Sequence, residues 1–237
     1  MRGLVEVGLT TREACGNTVR NIMCSHFAGV CSGEMFDATP YSKALAKFFL
    51  RNPISQNLPR KFKINFGCCD NHGLVRIADI GLIPDIKDGK KGFRIYLGGG
   101  LGAASFIGHL LEDFTPEDHL LSTCMATIRI FDRHGNRENM ARNRMRYLVN
   151  EMGWEKFQKL ILKERKIMQM TLSESTRDLF AIQQFNYDSF QMSLSKAPKL
   201  NSKLPLVSES ISLDSSGYDR WLHTNTVTQK QKGYFTI

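Results

Sequence analysis

Two lysines and an arginine form the chain's clearest candidate contacts for a small anion. In RKFKINF, residues 60–66, Phe62, Ile64 and Phe66 alternate with Lys61, Lys63 and Asn65. That is the period-two pattern of a half-buried strand. Its open face then carries two ammonium groups about 7 Å apart, from a rise of about 3.3 Å per residue. Upstream, CGNTVRN, residues 15–21, sets Arg20 between the amides of Asn17 and Asn21. A guanidinium fork beside two mobile ammonium groups suits a small oxyanion: arginine makes the planar contact, and lysine follows the anion and can give it a proton. The same lysines would also serve a solvated strand face that resists edge pairing.

Two further segments offer anion chemistry. Gly98, Gly99, Gly100, Leu101, Gly102 and Ala103 follow the strand-like GFRIYL and fit G-x-G-x-x-A, with a helix expected over residues 103–114. Such a backbone can point N–H groups at a pyrophosphate or a carboxylate. A dinucleotide site also needs an acidic residue ending a strand about 20 residues on, and FTPEDHLL reads there as a helix start. A tight packing turn is the plain alternative. RHGNRENMARNR, residues 133–144, groups Arg137, Arg142 and Arg144 with Asn136 and Asn139 around a helix N-terminus, where free N–H groups and the dipole favour carboxylates. A solvated basic helix face accounts for it equally.

Strand and helix signals alternate along the chain around these residues. Thr39-Pro40 starts a helix carrying Tyr41, Ala44, Leu45, Phe48 and Phe49, and Asn52-Pro53 stops it. After the lysine strand come a turn at Asp70 to Gly73, a strand LVRIADI and a strand GFRIYL. Thr115-Pro116 opens a helix with Leu121, Cys124, Met125, Ile128 and Phe131 on one face. Met145, Leu148, Val149 and Met152 mark the next helix, Gly153 ends it, and Trp154 to Met168 forms another. The class is α+β, a mixed sheet with flanking helices. Expected boundaries are 1–170 for the main domain, 171–216 for a linker or loosely packed insert, and 217–237 for the start of another unit.

At 237 residues the chain can bury a real core, and 42% hydrophobic with 23% charged residues is ordinary for a globular protein. A net charge of +9 suits an acidic partner. No apolar run reaches the roughly 18 residues of a membrane helix, and the N-terminus shows no signal-peptide pattern. The six cysteines form no disulfide framework, so a reducing, cytoplasmic setting is expected. Cys15, Cys24 and Cys31 are too widely spaced for paired Fe–S ligands. Cys68, Cys69 and His72 lack an evident fourth zinc partner. No metal ligand is assigned within the chain. A nucleic-acid-binding module has no motif or aromatic-interleaved basic stripe to support it.

Taken together, GLTTREACGNTVRN, TPYSKALAKFFLRNPISQNLPRKFK, GFRIYLGGGLGA and IRIFDRHGNRENMARNRMRYLVNEMG resemble the sirohaem-dependent nitrite and sulfite reductases, and YDRWLHTNTVTQKQKGYF is similar to the family's entry into its second repeat. The resemblance implies one repeat of a pseudo-twofold α+β fold. It implies six-electron reduction of nitrite or sulfite at sirohaem coupled to a [4Fe–4S] cluster, with ferredoxin or a reductase subunit as donor. It implies Arg20, Lys61 and Lys63 as substrate-anion contacts. Asn17, Asn21, Gly98, Gly99, Gly100, Gly102, Arg137, Asn139 and Arg142 are implied around the sirohaem. The cluster ligands are implied to lie outside this segment, for instance on a chain carrying the second repeat. Cys24-Ser25-His26-Phe27 departs from the Cys-Pro pair common in the family, and His26 is given no role. Alternatives are a split subunit, a non-catalytic remnant, and a nucleotide-dependent oxidoreductase using the Gly98–Ala103 loop.

Overall fold

Phe62, Ile64 and Phe66 are fully buried, and the alternation that contains them forms a central strand of the sheet. The computed structural model describes residues 11–70, 74–172, 215–228, 230 and 235–236. The chain divides into two units, residues 1–29 with 33–183 and residues 30–32 with 184–237.

The larger unit is built on a six-stranded sheet. β1 (Val19–Cys24), β2 (Phe62–Phe66) and β3 (Ile80–Lys87) run parallel to one another. β4 (Lys90–Leu97) is antiparallel to β3, and the short β5 (His109–Leu110) and β6 (Thr115–Pro116) both pair with β4. Four helices flank it: α1 (Thr39–Phe49), α2 (Leu120–His134), α3 (Met145–Met152) and α4 (Trp154–Thr171). The expected α+β class with a mixed sheet is what the chain adopts.

β1 and β2 are parallel, so the chain between them must cross over, and α1 makes that crossing. Ala44, Leu45 and Phe49 are its buried face. Thr39 does not cap it: Asp37 Oδ1 accepts from Thr39 N at 2.8 Å, and the Thr39 hydroxyl turns to Cys24 Sγ. α2 is buried on nearly every side, including the expected Leu121, Cys124, Ile128 and Phe131. One core joins the side chains of Phe49, Phe62, Phe66, Phe93, Phe131 and Phe157. Each contributes about 1.5–3 kcal/mol by leaving water.

Several local expectations are corrected. LVRIADI is not a strand; Val75–Ile77 is a turn of 3-10 helix, and extended structure starts at Ile80. Thr115-Pro116 pairs with β4 instead of capping a helix, and Glu117–His119 lead into α2 as 3-10 helix. No helix forms over residues 103–114. Asn65 is buried, because its amide Nδ2 donates to Leu74 O at 3.1 Å under the 3-10 turn. The turn expected at Asp70 to Gly73 and the linker over 171–216 fall largely outside the described residues.

Glu112 ties α4 to the loop before β6, accepting from Arg165 and from Thr115 Oγ1. Burial pushes its carboxyl up, but the bonds from Arg165 and Thr115 outweigh this and hold it below its usual value. A carboxylate lowered in the folded state stabilises above its ordinary range, and that stability is lost as pH falls through the folded value. Glu112→Gln is therefore expected to flatten the acid limb of a Tm-against-pH curve and leave the neutral plateau's shape unchanged.

The smaller unit contains α5 (Ser215–Asn225) and a pair of two-residue antiparallel strands, β7 (Val227–Thr228) and β8 (Phe235–Thr236). Lys230 N donates to Val30 O at 3.0 Å. Among the described residues no helix is long and apolar enough to cross a membrane.

Candidate functional site

The edge of the sheet brings the expected cations together. β1 and β2 pair Val19 with Phe62 and Asn21 with Lys63, so Arg20 is an extra residue at a shift of register. Such a bulge re-aims a side chain, and bulges recur beside functional sites. Arg20 Nε donates to Gly16 O at 2.7 Å, which anchors the guanidinium base. Lys61 lies among like charges: Arg144 first, then burial, then Arg20, Lys63 and Arg60 all lower its pKa from the usual 10.5. Strand pairing thus sets Arg20 beside Lys63, and Arg144 acts on Lys61 electrostatically along with them.

Asp79 underlies this cluster. Its carboxylate is fully buried, accepts from Lys63 N at 2.9 Å and from Arg144 Nη2 at 2.9 and 3.2 Å. Burial pushes the Asp79 carboxyl up, while Arg144, the Lys63 N–H and Arg146 pull it back.

The glycine run lies against a second arginine. Gly98, with φ +83°, donates its N–H to Asp79 O at 3.0 Å, and Gly100 and Phe106 exchange both backbone bonds at 2.9 Å. A Cβ at Gly100 would come 2.8 Å from Arg146 Nη1, and one at Gly102 would come 3.1 Å from Arg146 Nη2. Arg146 is 7% exposed, yet its Nε and Nη1 have no hydrogen-bond partner among the described residues. A buried cation with open donors is costly unless an anion completes it. Arg146 is in the first turn of α3, whose N-terminus has no side-chain cap, so free N–H groups add to the attraction.

The other expected contacts are placed differently. Arg137 donates to Asn57 O at 2.9 Å and pairs with Asp132 at 2.6 Å. Asn139 Oδ1 accepts from Ala141 N at 3.0 Å, and Arg142 is exposed. Asn143 Nδ2 donates to Pro59 O at 3.1 Å. With Arg137 it fastens residues 133–144 onto the approach to β2. Asn17 and Asn21 are exposed beside Arg20. The sequence did not point to Asp79 or Arg146; the second-residue spacing Arg142, Arg144, Arg146 before an apolar helix face was the available signal. Cys24 and Cys124 act as small core residues, with burial pushing the thiols up to about 11 and about 12. His72 lies outside the described residues.

The glycine loop meets an antiparallel bridge and β5 where a dinucleotide site needs a helix N-terminus. That removes the physical basis for the nucleotide reading. An oxyanion next to Lys61 would favour its charged form, so sulfate is expected to raise the Lys61 pKa. An NMR titration of the Lys61 side chain with and without sulfate checks this; an unchanged pKa would mean the anion sits elsewhere.

The chain is an α+β scaffold with lysines and arginines grouped at one edge of a mixed sheet, beside a glycine-rich loop. More narrowly, the chain belongs to the nitrite and sulphite reductase 4Fe-4S domain family, whose model matches residues 15–168. It is 32% identical over 163 residues to a chloroplastic ferredoxin–nitrite reductase of Arabidopsis thaliana, covering 66% of this chain and 28% of that protein. It is 32% identical over 165 residues to sulfite reductase [ferredoxin] 1 of Mycolicibacterium paratuberculosis, covering 69% and 29%. The solved structure of the Mycobacterium tuberculosis NirA protein is similar, with TM-score 0.65 and 26% identity over 70% of this chain and 30% of that one. The chain therefore spans under a third of the length of these relatives.

Proposed function

We propose that this segment supplies the substrate cations and part of the sirohaem cradle of a nitrite or sulfite reductase. The observation that carries the proposal is the strand register that sets the Arg20 bulge beside Lys63, with Asp79 binding both the Lys63 N–H and Arg144. Like charges gathered at one sheet edge oppose folding, and an anion offsets them.

The residues present fit a polycarboxylate tetrapyrrole. Arg146 offers two open donors, and Gly100 and Gly102 keep free the space that a Cβ would fill. When bound, sirohaem supplies the iron at which a small oxyanion takes up electrons. The chain's own residues do the rest. Arg20 and Lys63 hold the anion and stabilise negative charge on it. Lys61, whose pKa is lowered, gives up its Nζ proton to a substrate oxygen more readily than an ordinary lysine. Asn17 and Asn21 border the cofactor edge. Arg146 with Gly98, Gly99, Gly100 and Gly102 orients carboxylates. Arg142 remains available at the surface for a further one, and Arg137 and Asn139 act by shaping the loop. The [4Fe–4S] ligands belong to a second repeat, ferredoxin is the natural one-electron donor, and the working compartment is cytoplasmic.

The test is to load the purified chain with sirohaem and titrate nitrite and sulfite by difference spectroscopy. Lys61→Gln and Lys63→Gln are each expected to weaken anion binding roughly 10-fold, the range of one charge-assisted bond. Affinity unmoved by the double substitution would contradict the assignment. With reduced viologen, the loaded chain is expected to show no sustained six-electron turnover; turnover would contradict placing the cluster elsewhere.

A further inference from the structure

Asp79 joins three elements of the site. Its carboxylate takes the backbone N–H of Lys63, between the two lysines' strand positions, at 2.9 Å. The same carboxylate holds Arg144 at 2.9 Å, and the pair is nearly dry, with side chains 1% and 14% exposed. Its carbonyl accepts the N–H of Gly98 at 3.0 Å, fixing the start of the glycine run. One buried residue thus meets the lysine strand, the arginine segment and the glycine loop.

From this junction we propose that Asp79 is the positioning residue of the oxyanion site: it holds Arg144 beside Lys61, in register with Lys63 and Gly98. The role rests on the function proposed above only in what anion binds, and not in how the cations are arranged. Arg144 is the first of the causes that lower the Lys61 pKa, ahead of burial and of Arg20. Its other buried nitrogen, Nε, has no partner among the described residues, so the Asp79 carboxylate is what restrains the fork. A carboxylate is needed because one N–H and one guanidinium must be accepted by the same two oxygens. Asparagine keeps one acceptor and loses the charge.

A purely structural ion pair and a positioning one differ in what a double substitution restores. Removing either partner leaves a buried charge uncompensated and destabilises, whereas removing both leaves a neutral polar pair. The experiment uses the full chain as Asp79→Asn, Arg144→Gln and the double variant. Each is followed by thermal unfolding, by the Lys61 side-chain pKa from NMR, and by sulfate titration. The single variants are expected to lose stability and the double variant to regain most of it. In every folded variant Lys61 is expected to titrate higher than in the wild type, because Arg144 no longer faces it. Sulfate affinity is expected to stay roughly 10-fold weaker in the double variant, the worth of one charge-assisted contact.

A Lys61 titration unchanged from the wild type in Asp79→Asn, where Arg144 keeps its charge, would overturn the proposal. Should Asp79→Asn fail to fold, Asp79→Glu, which keeps the charge but moves the carboxylate by one methylene, decides it by the same readout, an unchanged Lys61 pKa overturning the proposal. Absence of sulfate binding in the wild type would count against the proposed function, while the Lys61 titration would still decide the role of Asp79.

Discussion

Arg146→Met is expected to make the unliganded chain more stable while weakening its hold on a polycarboxylate tetrapyrrole. Arg146 is 7% exposed, and its Nε and Nη1 lack partners among the described residues. An unsatisfied buried donor costs about 1–3 kcal/mol. What the arginine gains in return is smaller. Its guanidinium is 4.7 Å from the Tyr147 ring centroid and 3.4 Å from the Tyr147 hydroxyl, worth about 2 kcal/mol when desolvated, against two open donors. Methionine keeps an unbranched apolar stem without the charge. Denaturant unfolding should show a gain of about 1 kcal/mol or more. Sirohaem titration should show a loss of roughly 10- to 100-fold, the worth of a hydrogen bond to a charged group. A loss of both stability and affinity would mean that Arg146 is a framework residue.

Gly99→Ala is the substitution expected to do most harm to the cradle. A Cβ there would lie 2.3 Å from Arg76 O and 2.8 Å from Ala78 O. Both are backbone atoms, so no side chain can swing aside. Arg76 O is also engaged by Gly108 N at 2.7 Å. Forcing the loop outward costs about 3 kcal/mol, the upper part of the overpacking range, and draws Gly100 away from Arg146. Gly89→Ala is the control. That position has φ +73° but nothing within 4 Å of a Cβ, so it should cost only about 1 kcal/mol and leave tetrapyrrole affinity unchanged. Equal effects at the two positions would mean that the loop is not a close-approach site.

What the sequence made legible follows from what dominates each segment. The alternation of Phe62, Ile64 and Phe66 is a burial signal, and burial decides a central strand. The α1 and α2 faces were legible for the same reason. Residues 103–114 misled because Ile107, Leu110 and Leu111 have helical spacing, yet the backbone there is used to bridge Gly100 with Phe106 and to pair β5 with β4. Tertiary pairing overrode local periodicity. The hairpin of β3 and β4 was readable but missed. Asp88-Gly89, both at positive φ, connects Lys87 and Lys90 as a two-residue turn, the dipeptide such turns favour. Within the site, lysine and arginine positions could be found from type and spacing. Asp79 could not, because its importance lies in contacts from residues 63, 98 and 144 that only the fold brings together. Arg137 was singled out in the sequence and Arg146 was not, and the fold separates them the other way, because one reaches Asn57 O and the other the glycine run.

The most direct measurement is an equilibrium titration of sirohaem into the purified wild-type chain, followed by absorbance at two salt concentrations. Saturable binding of one equivalent that weakens as salt rises, with NAD(H) producing no competition, is the expected result. Failure to bind sirohaem, or displacement of it by NAD(H), would contradict the account.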